Sequence, residues 1–191
     1  MTVETYGRWP WAAAAMAGPA WAIATGRRSL RADGAWVAGL ALPILLSHQT
    51  EEWVLPGGFL PFCNQQLLGS DRPDWPLTER DGFHVNVSLG WSTAIGGALL
   101  WRRTPALAAG VLVMEVANVG MHLGMATRRR RYNPGVGSAA LLMVPHAVMG
   151  ARQIARSGRL SRRGGLIAAA TGITFAGLPA AMKVRMRRAR A

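Results

Sequence analysis

Residues 105–126 read PALAAGVLVMEVANVGMHLGMA, and this stretch decides the fold. Its length matches the roughly 20 mostly apolar residues that an α-helix needs to cross a bilayer. Yet Glu115, Asn118 and His122 sit inside it at i, i+3 and i+7, which puts all three on one helical face. An ionisable group inside a membrane costs a few kcal/mol or more, so such groups turn to the interior of a bundle and serve a function there. The stretch therefore predicts a transmembrane helix with a polar face directed at neighbouring helices.

The neighbours are legible on both sides. Apolar runs of similar length cover about 9–25, 35–55, 83–101, 134–150 and 165–182. Arginine-rich punctuation separates them at 27–31, 102–103, 128–131, 152–163 and 183–190, as loops between spans would. The expected fold is all-α: an integral membrane helical bundle of about six short transmembrane helices, forming a single transmembrane domain over residues 1–191. Abundant Ala and Gly permit close helix approach in lipid. Trp9, Trp21, Trp36, Trp53 and Trp101 fall near span ends, where an aromatic belt would place them. Ala22-Ile23-Ala24 resembles a signal-peptide cleavage site, but the preceding region is barely basic, so residues 9–25 are expected to be a retained helix. The expected location is a plasma membrane of bacterial type. Basic residues divide almost evenly between the two sides, so charge sets no orientation.

The chain has 191 residues, is 50% hydrophobic and 16% charged, and carries a net charge of +13. That charge does not imply nucleic acid, because the arginines flank apolar runs and form no stripe along one element. Contact with anionic lipid headgroups accounts for them, including the tail Lys183, Arg185, Arg187, Arg188 and Arg190. A single cysteine, Cys63, excludes an intrachain disulfide and a cysteine-built zinc site. The longest connection, 56–82, combines four prolines and four acids with Phe59, Leu60, Phe62, Leu67 and Leu68, and is either a plain loop or a lid.

All four histidines, His48, His84, His122 and His146, lie within the expected spans, with Glu51, Glu52 and Glu115. His48 precedes Glu51 by three and Glu52 by four residues, so the three share a face. His84 and Asn86, two apart, point in nearly opposite directions, and only one of them can meet a given partner. At about 1.5 Å per residue, all seven ionisable groups fall in one half of the membrane, between its edge and a depth of about 18 Å. One polar cavity opening toward that side is expected.

The segment Ser47-His48-Gln49-Thr50-Glu51-Glu52-Trp53 resembles the signature of the HXXEE-domain proteins, small multi-span membrane proteins named for this motif. The resemblance implies functional roles for His48, Glu51 and Glu52. It supplies no substrate and no reaction.

Imidazole and carboxylate together suit zinc or non-haem iron. The simplest divalent-metal ligand set is His48, Glu52, Glu115 and His122. Glu51 is then the proton-transfer group, and Asn118 orients substrate or bound water. His84, Asn86 and His146 are additional candidates, for a second metal or for orienting the ligands. The missing Glu-x-x-His repeat weighs against a di-iron centre. The resulting expectation is a membrane-embedded, metal-dependent enzyme whose partners are membrane lipids and a lipophilic small molecule. The alternatives are a metal-free acid/base isomerase or cyclase, a proton or solute carrier, and helix-joining hydrogen bonds without chemistry. His84 and His146 taken singly fit the last of these best. Separation of His48 from Glu115 by more than about 12 Å would exclude a shared ligand set, given metal–ligand distances near 2 Å.

Overall fold

The apolar stretches fold as helices, and no strand occurs among the described residues. The computed structural model describes residues 6–26 and 35–189. Helix α1 is Trp9–Gly26 and α2 is Ala35–Trp53. A short helix, α3, begins at Phe59–Pro61 and widens into a π-helical turn over Phe62–Leu67. Helix α4 runs through Glu79–Phe83, a π-helical segment His84–Trp91, and Ser92–Leu100. Helix α5 is Ala106–Arg129. Helix α6 joins Val136–Ser138, a π-helical turn Ala139–Met143, and Val144–Ser157. Helix α7 is Arg162–Arg188.

Local chemistry sets the ends. Thr78 and Asp81 form a reciprocal capping box that starts α4. Gly158, with φ +60°, stops α6, and the Ser161 hydroxyl accepts from Gly164 N at 3.0 Å to start α7. Helices α1, α4 and α6 pack against α2, while α4, α6 and α7 pack against α5. The contacts with α5 are close because glycine faces it. A Cβ on Gly150 would lie 2.6 Å from Leu112, and one on Gly172 would overlap the Val113 side chain.

About six spans were expected, whereas among the described residues two helices, α5 with 24 residues and α7 with 27, are long and apolar enough to cross a membrane. The others fall short for identifiable reasons. Helix α1 consists largely of Ala, Gly, Pro and Trp, and α2 carries His48, Gln49, Glu51 and Glu52 in its last turns. Helices α4 and α6 are interrupted by their π segments. The tryptophan belt is also corrected. Trp9 and Trp101 are only 4% and 2% exposed, packed inside the protein, and Trp21 Nε1 donates to Ser47 Oγ on α2 at 3.0 Å.

The 56–82 connection is an ordered structure. Buried Asn64 ties it together, donating to Pro73 O (2.8 Å) and Leu77 O (2.9 Å) and accepting from Leu77 N (2.8 Å). Arg129 of α5 holds Gln66. Arg185 of α7 binds Pro76 O at 3.0 Å and Asp81 Oδ2 at 2.8 Å while stacking on Trp75. Arg185 is thus engaged by the protein itself and is not simply a headgroup contact. Arg27, Arg28, Arg31 and Arg190 lie outside the described residues.

The α5–α7 contact makes a prediction. Gly172→Ala should destabilise the protein by about 1–3 kcal/mol through overpacking. Adding Val113→Ala should restore the loss, and Gly177→Ala, where a Cβ meets open space, should be neutral. Thermal unfolding in detergent measures all three; an unaffected Gly172→Ala variant would show that the helices do not meet there.

Candidate functional site

The last turns of α2 and the C-terminal half of α5 face each other, and their polar side chains meet between them. His48, Glu52 and His122 are buried, with exposures of 1%, 4% and 1%. One ligand atom from each lies within 4.8 Å of the others. His122 Nε2 is 3.0 Å from Glu52 Oε1, and His48 Nε2 is 3.3 Å from the same oxygen. The two imidazole rings meet edge to face at 5.0 Å.

Hydrogen bonds on the far side of each ring determine what these atoms present to one another. Asn133 Nδ2 donates to His122 O at 2.9 Å, which turns its Oδ1 toward His122 Nδ1 at 2.7 Å. An amide oxygen only accepts, so Nδ1 carries the proton and Nε2 of the neutral ring is bare. His48 follows the same logic. Ser138 Oγ gives its proton to Glu51 Oε2, so it accepts from His48 Nδ1 at 2.8 Å, leaving His48 Nε2 bare. That nitrogen takes a hydrogen bond from Asn118 Nδ2 at 2.8 Å. Two bare imidazole nitrogens and one carboxylate oxygen thus converge on one point. The His48 lone pair rests on the Asn118 amide, but His122 Nε2 and Glu52 Oε1, 3.0 Å apart, require a cation or a proton between them. Neutral histidines whose other N–H is held by a carbonyl-type acceptor or a hydroxyl are the form in which metal ligands occur.

Gly135 makes this convergence possible. Its φ is +96°, and a Cβ there would lie 2.7–2.8 Å from His122, Glu52 and His48 at once. The α5–α6 connection therefore lies directly on the site, and only glycine fits.

Glu51 occupies a different position. Its carboxylate accepts from Tyr132 Oη at 2.9 Å, Gly137 N at 2.9 Å, Ser138 N at 2.6 Å and the Ser138 hydroxyl. It caps the start of α6, where unpaired main-chain N–H groups and the helix dipole favour an anion. Through Ser138 it reaches His48. It is not among the residues lining the cavity described below. The Tyr132 hydroxyl is pushed up to about 12, by burial and by its bond to the Glu51 carboxylate.

Glu115 does not join the three-residue group. Both its oxygens lie 2.8–2.9 Å from His146 Nδ1, and His146 Nε2 donates to Val37 O at 2.7 Å. This is a second buried pair, on the same face of α5 but two turns from His122. Asn86 accepts from Gln49 Nε2 at 3.0 Å and donates to Gly82 O at 2.9 Å; Gln49 in turn accepts from Trp91 Nε1 at 2.8 Å. His84 is exposed, beside Ser88, Tyr6 and Phe83. Of the nine candidates, His48, Glu52, His122 and Asn118 meet at one point, Glu51 supports it, and Glu115, His146, Asn86 and His84 lie elsewhere. Ser138, Asn133 and Gly135 were not anticipated as site residues.

A cavity of about 250 Å³ adjoins the cluster. His48, Glu52 and Asn118 form its polar end, and Glu115 and Asn86 also reach its wall. Apolar side chains supply the rest, among them Leu45, Val111, Met114, Met121, Phe175 and Met182. Phe59, Cys63, Leu67, Leu68 and Leu77 of the 56–82 connection line it too.

Two predictions test this environment. Glu115→Ala leaves His146 with an unpaired buried Nδ1 and should cost about 3–5 kcal/mol. Glu115→Gln, whose amide keeps a hydrogen bond to Nδ1, should cost clearly less; equal losses in thermal unfolding would contradict the pairing. The Cys63 thiol is pushed up to about 12, first by burial and then by the Glu52 charge. Only the thiolate is nucleophilic, so raising the thiol out of the neutral range suppresses reaction. Maleimide labelling at pH 8, followed by intact mass, should be about a thousandfold slower in the folded than in the unfolded chain. Equal rates would place the thiol outside the cavity.

No curated protein and no solved structure matches the chain. A family model described as a protein of unknown function with HXXEE motif matches residues 39–150. The match runs from α2 into α6 and so includes His48, Glu52, Asn118, His122, Asn133 and Ser138. The motif's histidine and second glutamate are two of the three converging residues, and its first glutamate braces the histidine. The chain belongs to the HXXEE family.

Proposed function

We propose that this protein is a membrane-embedded, metal-dependent enzyme acting on a lipophilic small molecule, with His48, Glu52 and His122 as the ligands of a divalent zinc or iron ion. One observation carries the reading: two imidazole nitrogens, each left bare by a hydrogen bond on its other side, face the same buried carboxylate oxygen. Three protein ligands are the number that catalytic zinc sites use, with a further position left to substrate or water. When bound, such an ion acts as a Lewis acid on an oxygen of the substrate. The chain's own groups do the rest. Asn118 donates at the cavity's polar end, the apolar wall excludes water, and Glu51 with Ser138 fixes the orientation of His48. This assigns Glu51 a positioning role in place of proton transfer. Proton transfer falls to Glu115, which lines the same cavity and is held by His146.

Membrane location is part of the proposal. Helices α5 and α7 have the length and hydropathy of spans. Large apolar side chains stand fully outward on α4, α6 and α7, with Leu99 at 76%, Leu141 at 75% and Ile173 at 73% exposure. The finer reading of about six spans takes α1, α2, α4 and α6 as crossing alongside them. The 56–82 connection, anchored by Arg129 and Arg185, then acts as a lid over the cavity.

The second reading is metal-free acid/base chemistry, with a proton shared between Glu52 and the two imidazoles. It is favoured by the same convergence, because a proton on one Nε2 would also relieve the opposed lone pairs. Elemental analysis of the purified full chain separates the two. The metal reading expects a stoichiometric ion, lost in His48→Ala, Glu52→Ala and His122→Ala. Ser138→Ala should retain the site while weakening metal affinity by about 10–100-fold. No metal in any preparation, including after dialysis against zinc or ferrous iron, would overturn the metal reading in favour of the acid/base one.

A further inference from the structure

The cavity is lined by hydrocarbon almost everywhere except at one end, and that end would carry a charge imbalance with a divalent cation present. Two neutral imidazoles and one carboxylate leave such an ion with one positive charge uncompensated. The other acid on the wall, Glu115, cannot supply the balance, because it is already paired with His146 at 2.8 Å. Glu51 is committed to the start of α6. An unpaired charge in an apolar cavity is costly. No protein group supplies the missing anion, so a bound hydroxide or an anionic ligand would have to, and only the second makes use of the apolar wall.

Asn118 points the same way. Its Nδ2 donates to His48 Nε2 at 2.8 Å, and its other near neighbour is the weak acceptor Met143 Sδ at 3.9 Å. A metal ion held there would take the Nε2 lone pair and leave the amide N–H free at the polar end. A donor released by metal binding, beside a site of net positive charge, is suited to an anionic oxygen.

The size of the remaining space sets the scale of the ligand body it can bury. Benzene fills an engineered apolar cavity of about 150 Å³, so 250 Å³ holds about ten carbon atoms by proportion. Met114, Met121 and Met182 on the wall can repack around a flexible chain. Asn86, the remaining polar side chain there, has both its amide atoms engaged.

We infer that the cavity binds a medium-chain amphiphile, an acyl body of about ten carbons with a carboxylate head, the head lying on the metal and on Asn118. This rests on the metal reading above, so the test follows metal and ligand separately on one sample. The full chain in detergent is loaded with zinc, dialysed, and assayed for retained zinc and for binding of tritiated decanoate. Decanol and octadecanoate serve as competitors. The expected result is retained zinc, with decanoate competing about tenfold better than decanol, as one charge-assisted contact gives, and octadecanoate competing poorly. Asn118→Leu should retain zinc while losing about tenfold in decanoate affinity. Zinc retained with decanol or octadecanoate equal to decanoate would overturn the ligand class and leave the metal centre standing. Failure to retain zinc would remove both.

Discussion

A neutral imidazole has one bare nitrogen, and in this fold two such nitrogens are turned onto the same carboxylate oxygen. Much of the architecture around the site serves to hold them there. Ser138 and Glu51 fix one ring, Asn133 fixes the other, and all these contacts bind the α5–α6 connection to α2 and α5. The connection accepts two left-handed residues to make the turn, Arg130 at φ +51° and Gly135 at φ +96°. The second lies where no side chain could stand. Helices α2 and α5 are thus joined across the site by hydrogen bonds between buried polar groups, while α4 and α6 bridge them through apolar packing. Removing the polar contacts would leave buried imidazoles and acids unpaired, which costs more than the contacts contribute when made.

Half of this was legible in the sequence. The spacing of His48 and Glu52 on α2, and of Asn118 and His122 on α5, placed each pair on one face, and those faces do meet. The same spacing misled for Glu115. Residues at i and i+7 share an azimuth, but they are about 10 Å apart along the axis, farther than the ligand atoms of one ion can be. His122 reaches Glu52 near the end of α2, so Glu115, two turns deeper, meets His146 instead. Glu51 stands apart from the converging atoms for a related reason. At i+3 from His48 it sits rotated to the flank, and the flank faces the start of α6, where three donors claim it.

The unforeseen residues share a cause. Asn133 and Gly135 lie in a turn, where no periodicity signals orientation, and Ser138 lies at the first turn of a helix that the turn aims. The π segments likewise leave no mark in composition. Each inserts a residue into the register, and after His84–Trp91 the faces predicted from a 3.6-residue repeat no longer apply. The opposition of His84 and Asn86 was still readable, because they are too close for the shift to matter: Asn86 turns inward to Gln49 and His84 outward. Tryptophan position near a span end was a poor guide to exposure, since Trp9 and Trp101 fill interior space that smaller residues leave open.

The three π segments also bear on the proposed membrane location, for which two of the described helices are long and apolar enough. A widened turn misaligns main-chain hydrogen bonds, and in hydrocarbon a misaligned N–H or C=O has no water to turn to. Irregular helix at membrane depth is tolerated where it lines a cavity or is buried in protein. All three segments here contribute to the cavity wall: Phe62–Leu67 through Cys63 and Leu67, His84–Trp91 through Val85, Asn86 and Gly90, and Ala139–Met143 through Met143. The interruptions that shorten α4 and α6 are therefore placed where a membrane protein would accept them. They widen the space between helices that otherwise approach to glycine contact. The short helices and the cavity thus share one origin: the π segments that interrupt the helices also line the space between them.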